Sequence, residues 1–246
     1  MKVTVVGFWG GYPAVNEASS GYLFESDGFR LLVDCGSAVL SQLQNYVMPE
    51  ELDAVILSHY HHDHISDVGP LQFARLIAKY LNKNSRALPI YGHAADQLEF
   101  ARLTYKDVTI GRAYNPNEQI QIGPFTIRFL KTKHPVDCFA MRISDGAAEV
   151  VYTADSSFIE EFIPFSKHAD LLLCECNFYG EMDGSGAGHM NSYDAAKLAN
   201  RASVKELMLT HLPHFGNHQE LISEAQTIYQ GPVRLAAAGL KWTHEN

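Results

Sequence analysis

The sequence predicts an α/β fold in which β-sheets are covered by helices. Ten short apolar runs are rich in Val, Ile, Leu and aromatic residues, which is typical of buried strands. Segments with helical periodicity separate several of these runs, and this mixture favours sheets packed against helices. The ten runs lie at residues 3–7, 20–26, 30–36, 53–59, 88–92, 125–130, 138–144, 149–155, 169–175 and 206–211.

Six segments have the spacing of apolar residues that indicates a helix. They lie at residues 37–47, 68–81, 94–103, 156–165, 192–202 and 218–229. The start of the segment 192–202 is marked by Ser192, which precedes Asp194 and a series of helix-forming residues. We therefore expect Ser192 to be the N-cap of this helix.

The length allows one large domain or two small ones, and a faint internal repetition suggests that the chain is built of two similar halves. The stretch FRLLVDCGS followed by ELDAVILSHYH resembles EVVYTADSS followed by HADLLLCECN. Each consists of a strand with an aspartate near its end, then a helix, then an apolar strand that ends in polar residues. Such patterning is also general among βαβ units. Two similar halves that face each other would form one site at their junction.

The composition is that of an ordinary globular protein, with 46% hydrophobic and 19% charged residues. No apolar segment has the length needed to span a bilayer, and the opening MKVTVVGFWGG lacks the apolar core of a signal peptide. We therefore expect a cytoplasmic protein without a membrane partner. The net charge of −9 argues against an extended nucleic-acid-binding surface. The four cysteines lie in apolar runs and are expected to be small core residues.

The stretch SHYHHDH, residues 58–64, contains four histidines and one aspartate. Because it follows the apolar run DAVIL, we expect His59 at the C-terminal end of a strand. His61 would then lie on the same side of the extended chain. Asp63 and His64 follow, at the point where the chain turns towards the next helix.

These residues form two pairs, which suggests two metal ions. Neutral imidazole and carboxylate are usual ligands of Zn²⁺. The alternative is a solvated loop that is rich in histidine. His62 alternates away from its neighbours, so we expect it to support the ligands or to be exposed.

Further ligands are expected at the ends of other strand-like runs, where α/β sheets place their sites. His134 follows FTIRFLKTK, Asp155 ends EVVYTAD, and His211 ends ELMLTH. Taken singly, a His or Asp after a strand is more often a turn or capping residue than a ligand. Together with the histidine cluster they form an ordered set along the chain.

This ordered set resembles that of the metallo-β-lactamase superfamily of metal-dependent hydrolases, over essentially the whole chain. The resemblance implies that residues 1–246 form a single domain of two similar halves, a four-layered αβ/βα sandwich. It also implies two Zn²⁺ ions, with Mn²⁺ or Fe²⁺ as possible replacements. It also implies that Asp34 in VDCG supports the histidine loop. By the same resemblance, His59, His61 and His134 would bind one ion, Asp63, His64 and His211 the other, and Asp155 would bridge both.

The segment GHMNSYDAAKLA, residues 188–199, resembles the one that carries a catalytic histidine in ribonuclease Z and related phosphodiesterases. His189 would donate a proton to the leaving group or bind a phosphate oxygen, unless it is incidental to a capping loop. Glu175 is a candidate for orienting a histidine. The loop GFWGGYP, residues 7–13, either brings its backbone close to substrate or is a tight turn.

The function that follows is a dinuclear zinc phosphodiesterase in which a metal-bound hydroxide is the nucleophile and Asp63 orients or deprotonates it. Only about 20 residues separate His134 from Asp155, too few for the tRNA-gripping arm of ribonuclease Z plus two strands. We therefore expect a small or cyclic phosphodiester, or a short nucleic-acid end, as substrate. The alternative is a carbonyl hydrolase, that is, a lactonase, thioesterase or β-lactam hydrolase. Relatives of this kind are often homodimers.

Overall fold

The structure is a computed structural model that describes residues 1–83 and 86–244. The chain divides into two compact units. The first comprises Met1–Asn115, Ile122–Pro124 and Ala237–Thr243, and the second comprises Pro116–Gln121, Phe125–Ala236 and the residue His244. The single-domain organisation that the sequence suggests stays a prediction.

The first unit contains a seven-stranded sheet in the order β14-β1-β2-β3-β4-β5-β6. The three pairs of neighbouring strands from β14 to β3 are antiparallel, and the three pairs from β3 to β6 are parallel. The strands are β1 Lys2–Gly7, β2 Gly21–Ser26, β3 Phe29–Val33, β4 Ala54–Ile56, β5 Leu88–His93, β6 Thr109–Tyr114 and β14 Lys241–Thr243.

The second sheet also has seven strands, in the order β13-β12-β11-β10-β9-β8-β7. Strands β8, β9 and β10 are antiparallel neighbours, and β10 to β13 are parallel. The strands are β7 Ile120–Ile122, β8 Phe125–Lys131, β9 Phe139–Ser144, β10 Glu149–Tyr152, β11 Leu171–Glu175, β12 Leu207–Thr210 and β13 Val233–Leu235. From β8 to β13 the directions of neighbouring strands repeat those from β1 to β6.

Seven α-helices lie in the described ranges, at α1 Val39–Leu43, α2 His62–Ile65, α3 Val68–Tyr80, α4 Gln97–Ala101, α5 Phe162–Ser166, α6 Ser192–Ala202 and α7 His218–Gln226. None of them is long and apolar enough to cross a membrane. Helices α3, α6 and α7 follow the predicted segments closely. The predicted segments 37–47 and 94–103 are helical over only five residues each, and segment 156–165 is helical only from Phe162.

Three predictions about elements are wrong. The N-cap of α6 is Asn191, whose side chain accepts the N–H of Asp194, whereas Ser192 is already helical. Strand β4 ends at Ile56, so His59 lies three residues beyond the strand. The prediction also lacked strands β6, β7, β13 and β14.

The core of the first unit lies between its sheet and helices α1 and α3. Leu23, Leu32 and Val55 from the strands pack with Leu43 and Leu71 from the helices, all fully buried. In the second unit the strands β11 and β12 are buried along their whole length, as expected for parallel strands covered on both faces. All four cysteines are buried and free, as predicted.

Candidate metal centre

The predicted histidine cluster lies on the connection between β4 and α2 of the first unit. His59 is fully buried, His61 is half-buried, and the centroids of their rings are 4.8 Å apart. Asp63 and His64 belong to the single turn of α2 and are buried, whereas His62 is exposed, as predicted. The rings of His59 and His64 have centroids 4.2 Å apart. One short loop thus gathers three imidazoles and a carboxylate.

Asp34 holds this loop in place through hydrogen bonds. Its carboxylate accepts hydrogen bonds from the Ser58 backbone N–H at 2.7 Å, from the Ser58 hydroxyl at 2.8 Å and from Nδ1 of His64 at 2.8 Å. Asp34, Ser58 and His64 are completely buried. A buried carboxylate with several donors is a stable acceptor, so it holds both ends of the loop in place.

These hydrogen bonds determine which ring nitrogen of each histidine carries the proton. Because the Ser58 hydroxyl donates to Asp34, its oxygen is the acceptor for Nδ1 of His59, 3.0 Å away. His64 likewise donates from Nδ1 to Asp34. In both neutral rings the lone pair is therefore on Nε2. A histidine whose Nδ1–H is held by an acceptor and whose Nε2 carries the lone pair is the usual metal ligand.

Two glycines shape the surroundings of Asp63. The backbone N–H of Gly11 donates to Oδ2 of Asp63 at 2.8 Å, so the loop GFWGGYP contacts a candidate ligand directly. Gly11 has a φ of +74°, which favours glycine. A Cβ on Gly36 would lie 1.8 Å from the carbonyl oxygen of Asp63, so only glycine lets the two chain segments pass so closely.

In the second unit the predicted residues follow strand ends. Asp155 comes three residues after β10 and is buried, and His211 directly follows β12. Nε2 of His211 is 3.3 Å from Oδ2 of Asp155, and Nε2 of His134 is 3.8 Å from the same oxygen. The hydroxyl of Thr132 donates to the backbone carbonyl of Asp155 at 2.8 Å, which joins the two segments.

His134 carries its proton on the same ring nitrogen as His59 and His64 do. Its Nδ1 is 3.0 Å from the carbonyl oxygen of Gly188, which can only accept, so Nδ1 carries the proton and Nε2 the lone pair. A Cβ on Gly188 would lie 2.8 Å from Nδ1 of His134, and Gly188 has a φ of +81°. Glycine is therefore required where this carbonyl meets the ring.

His189 forms a hydrogen-bonded pair with Glu175 beside these residues. Nδ1 of His189 is 3.0 Å from Oε1 of Glu175, which also accepts the N–H of Ser156 at 2.8 Å. Burial raises the pKa of Glu175 above its ordinary value, and the positive charge of protonated His189 opposes that shift. The ring of His189 stacks on that of His211, with centroids 5.2 Å apart. Glu175 thus orients a histidine, the role for which the sequence made it a candidate.

Several site residues have backbones that are uncommon outside glycine. Asp34 has a φ of 58°, Ala154 a φ of 51° and His211 a φ of 52°. Each follows a parallel strand, β3, β10 or β12 respectively. Non-glycine residues in this region cost free energy and cluster at functional sites. These three left-handed residues therefore lie at the same strand ends as the candidate site residues.

The contacts that the sequence did not reveal are mostly made by small residues and by the backbone. Ser58 lies inside the quoted motif, yet its bridging hydroxyl has no signature of its own. Gly11, Gly36 and Gly188 contribute an N–H, a close approach and a carbonyl. Each of these glycines lies in a glycine-rich stretch or in VDCG, and these stretches were the sequence features from which such contacts could have been predicted.

The comparison with known families is decisive here. The sequence profile described as "Beta-lactamase superfamily domain" matches residues 29–212, which include all of the ligand candidates. The chain belongs to the β-lactamase superfamily. The predicted fold class, an α/β sandwich of the metallo-β-lactamase type, and the predicted class of enzyme, a hydrolase of this superfamily, are confirmed.

Known proteins and solved structures resemble the chain along nearly its full length. "Probable metallo-hydrolase YhfI" of Bacillus subtilis is 61% identical over 242 residues, covering 98% of the chain and 99% of that protein. The crystal structure of YhfI has a TM-score of 0.97, covering 98% of both chains. Human tRNase Z, short form, has a TM-score of 0.77 at 19% identity, with 99% of both chains covered. A diphosphatase of the PhnP family has a TM-score of 0.78 at 18% identity, with 99% of this chain and 98% of the diphosphatase chain covered.

Proposed function

We propose that the chain is a dinuclear zinc phosphodiesterase that acts on a small or cyclic phosphodiester or on a short nucleic-acid end. The observation that carries the proposal is the His189–Glu175 pair. His189 is an oriented imidazole to which we assign no ligand role, and its ring lies 5.2 Å from those of both His134 and His211. A group that donates a proton is most useful when the leaving group is a poorly leaving alkoxide, as in an ordinary phosphodiester.

The ligand assignment extends the resemblance seen in the sequence. His59, His61 and His134 would hold one ion, Asp63, His64 and His211 would hold the other, and Asp155 would contribute to both. Two features support it. The family match spans the candidates of both units, and His59, His64 and His134 have their Nδ1 protons held by acceptors, which suits coordination through Nε2.

The chain's own groups have distinct tasks in this mechanism. Two divalent ions, when bound, would lower the pKa of water and offset negative charge on substrate oxygens. Gly11 fixes Oδ2 of Asp63 and so orients the carboxylate that positions the nucleophile or takes its proton. His189 gives a proton to the leaving oxygen from Nε2. Glu175 stabilises the protonated ring through Nδ1 and keeps it in this orientation.

The names of relatives support chemistry at phosphorus. Besides the tRNase and the diphosphatase, ribonuclease Z of Methanopyrus kandleri is 24% identical over 270 residues, covering 94% of the chain.

The four buried cysteines, which form no disulfide, suit the reducing cytoplasm that we propose as the location.

Substrate class is tested by assaying one zinc-loaded preparation on bis-p-nitrophenyl phosphate, cyclic nucleotides, lactones and nitrocefin. We expect turnover of phosphodiesters to exceed that of the lactones and nitrocefin. Efficient hydrolysis of the carbonyl compounds without phosphodiester activity would instead make the chain a carbonyl hydrolase.

The ligand assignment is tested by a double-variant cycle. His61→Ala in the first unit and His134→Ala in the second should each remove one zinc ion of two, measured by elemental analysis after dialysis. Because both residues are assigned to the same ion, the double variant should lose no more zinc than either single variant. Additive losses would show that the two histidines belong to separate sites.

A further inference from the structure

A cleft in the second unit is lined mainly by basic side chains. It measures about 370 Å³ and lies between strands β8 and β9 and the end of helix α5. Of the described residues that line it, three are cations, one is a histidine and none is acidic. The lining consists of Arg128, Arg142, Pro164, Phe165, Lys167 and His168. Such a concentration of positive charge is unexpected in a chain whose net charge is −9.

Two of the cations lie directly opposite each other in the sheet. Arg128 of β8 pairs with Arg142 of β9 in the antiparallel register, so both side chains project from the same face. Like charges in this arrangement destabilise a sheet unless a counter-charge offsets them. Glu149 of β10 forms an ion pair with Arg142, but its Oε1 is 4.0 Å from Nη2 of Arg128, too far for a hydrogen bond. One carboxylate therefore serves two guanidinium groups.

Arg142 forms the floor of the cleft. Its side chain is only 13% exposed, and Nη1 donates to the carbonyl oxygens of Phe165 at 2.7 Å and of Lys167 at 3.1 Å. These bonds tie the C-terminal end of α5 to strand β9 and hold the backbone of Lys167 beside the sheet. Arg142 thus shapes the cleft and contributes positive charge, while its Nη donors are engaged within the protein.

The other three polar side chains can donate to a ligand. The side chain of Arg128 is 59% exposed, and Lys167 and His168 are exposed. Among the described residues, neither the ammonium group of Lys167 nor the ring of His168 has a hydrogen-bond or ion-pair partner. A neutral imidazole carries one N–H, so each of the three side chains offers at least one donor. Several donors around one cleft suit an anion with several oxygens.

We propose that this cleft binds the phosphate group of a small molecule, at a site separate from the candidate metal centre. Guanidinium and ammonium groups are the cations with which proteins bind phosphate. Phosphate oxygens would accept hydrogen bonds from Arg128 and Lys167, with His168 as a third donor and the charge of Arg142 beneath them. The volume is at the small end of the range for ligand sites, about 300–1,000 Å³.

The cleft lies at the other end of the second sheet from the candidate site residues of this unit. His168 comes three residues before β11, whereas Glu175 is the last residue of that strand. At about 3.3 Å per residue, the strand alone separates the two by roughly 13 Å. Glu149 similarly begins β10, and Asp155 lies beyond its end. Phosphate in the cleft would therefore not contact these site residues.

The site is tested by isothermal titration calorimetry of inorganic phosphate at constant ionic strength. The zinc-loaded chain is titrated first, and the titration is repeated after a chelator has removed metal, when only the cleft should bind phosphate. Arg128→Ala and Lys167→Ala should each weaken this metal-independent binding about tenfold or more, the effect of losing a hydrogen bond to a charged group. Both positions are exposed, so circular dichroism should show folded variants.

The matched control is Lys131→Ala. Lys131 is also an exposed lysine of the second unit, with 68% of its side chain exposed, but it pairs with Asp137 and does not line the cleft. This variant should bind phosphate like the wild type. Equal weakening in Lys131→Ala and Lys167→Ala would reduce the effect to general surface charge and overturn the proposal. Absence of phosphate binding by the metal-free chain would also overturn it, as would unchanged binding in Arg128→Ala and Lys167→Ala.

Glu149→Gln provides a test in the opposite direction. It removes the carboxylate that shares Arg128, so phosphate should bind about threefold more tightly, as expected for relief from one partly exposed ion pair. Because Glu149 also pairs with Arg142, circular dichroism must show that this variant is folded, and the two alanine variants test the site independently of it. Weaker binding by the folded variant would overturn the placement of the anion beside Arg128.

Discussion

At the scale of single residues, Asp34 joins several groups of the candidate metal centre. Its carboxylate accepts hydrogen bonds from Ser58 and His64, and these bonds determine which ring nitrogen of His59 and of His64 carries the proton. Asp34 makes these bonds from a left-handed backbone conformation that aspartate and asparagine tolerate better than other side chains. We therefore expect Asp34 to affect the affinity for metal without being a ligand itself.

Asp34→Asn should weaken zinc binding by about 10–100-fold, the usual effect of losing such a supporting partner. Asparagine keeps the shape and the backbone conformation but replaces one acceptor oxygen by a donor and removes the charge. Affinity is measured by competition with a chromogenic chelator. Asp27→Asn is the control, because Asp27 has a φ of 50° in an exposed turn. Equal zinc affinity of both variants would contradict the role given to Asp34.

His189→Ala should leave the metal content near normal and lower turnover of substrates with poor leaving groups by about 10²–10⁴-fold. Esters of p-nitrophenol should suffer less, since p-nitrophenolate leaves without a proton. Glu175→Gln should show the same preference for activated leaving groups, more weakly. Asp155→Ala should lose zinc as well as activity. If His189→Ala lost as much zinc as Asp155→Ala, His189 would be a ligand or a support for one.

At the scale of elements, α6 shows how one residue starts a helix and holds a loop. Asn191 accepts the N–H of Asp194, and its amide donates to the carbonyl oxygens of Gly180 at 3.2 Å and Met182 at 2.8 Å. The loop thus tied down leads to His189, two residues before the cap. The cap and the candidate proton donor are therefore stabilised by the same side chain.

Asn191→Ala should lower the free energy of unfolding by about 1–2 kcal/mol, because it removes the cap and the two loop contacts. Asn200→Ala on the exposed side of the same helix is the control, and it should be neutral or slightly stabilising since alanine is the better helix former. Urea denaturation followed by circular dichroism gives both values. Similar losses in the two variants would show that Asn191 is not the cap.

The sequence was most informative where hydrophobic periodicity is strong. The runs that became β8, β9 and β11 and the segments that became α3 and α6 were recognisable because burial imposes a regular spacing. Strand β6, TIGRAY, was missed because its glycine and exposed arginine interrupt that spacing. Strand β4 ends early. The backbone N–H of Leu57 still donates to the carbonyl oxygen of Tyr91 in β5, and the chain beyond it forms the ligand loop.

The candidate metal ligands were predictable from their residue types, whereas the hydrogen bonds that hold them in place were not. His59, His61, Asp63 and His64 form a dense motif, and the structure gathers them on one loop. The bonds from the Gly11 N–H and the Gly188 carbonyl are made by the backbone, which every residue has. Sequence alone cannot single out such groups.

At the scale of the whole molecule, metal binding should stabilise the chain, because an ion bound only by the folded state shifts the equilibrium towards it. Removing metal with a chelator should lower the melting temperature by roughly 5–10 °C per ion, if zinc is present at about 100 times its dissociation constant. Adding zinc back should restore it.

Variants of the ligand loop provide the control for this measurement. His62→Ala should keep the full response to zinc, because His62 is exposed and no ligand role is assigned to it. His61→Ala should lose part of it. An unchanged melting temperature after complete removal of metal would contradict a metal site that depends on the folded chain.

The buried thiols have a practical consequence for labelling. All four cysteines are buried and therefore inaccessible to reagents. Burial also raises the pKa of Cys35, Cys174 and Cys176, so these three present no thiolate at neutral pH. A cysteine introduced at the exposed positions Val15 or Phe215, one in each compact unit, would react with a maleimide while the native thiols stay unmodified. The wild-type background is thus already suited to attaching a pair of fluorophores or spin labels, without first replacing any native cysteine.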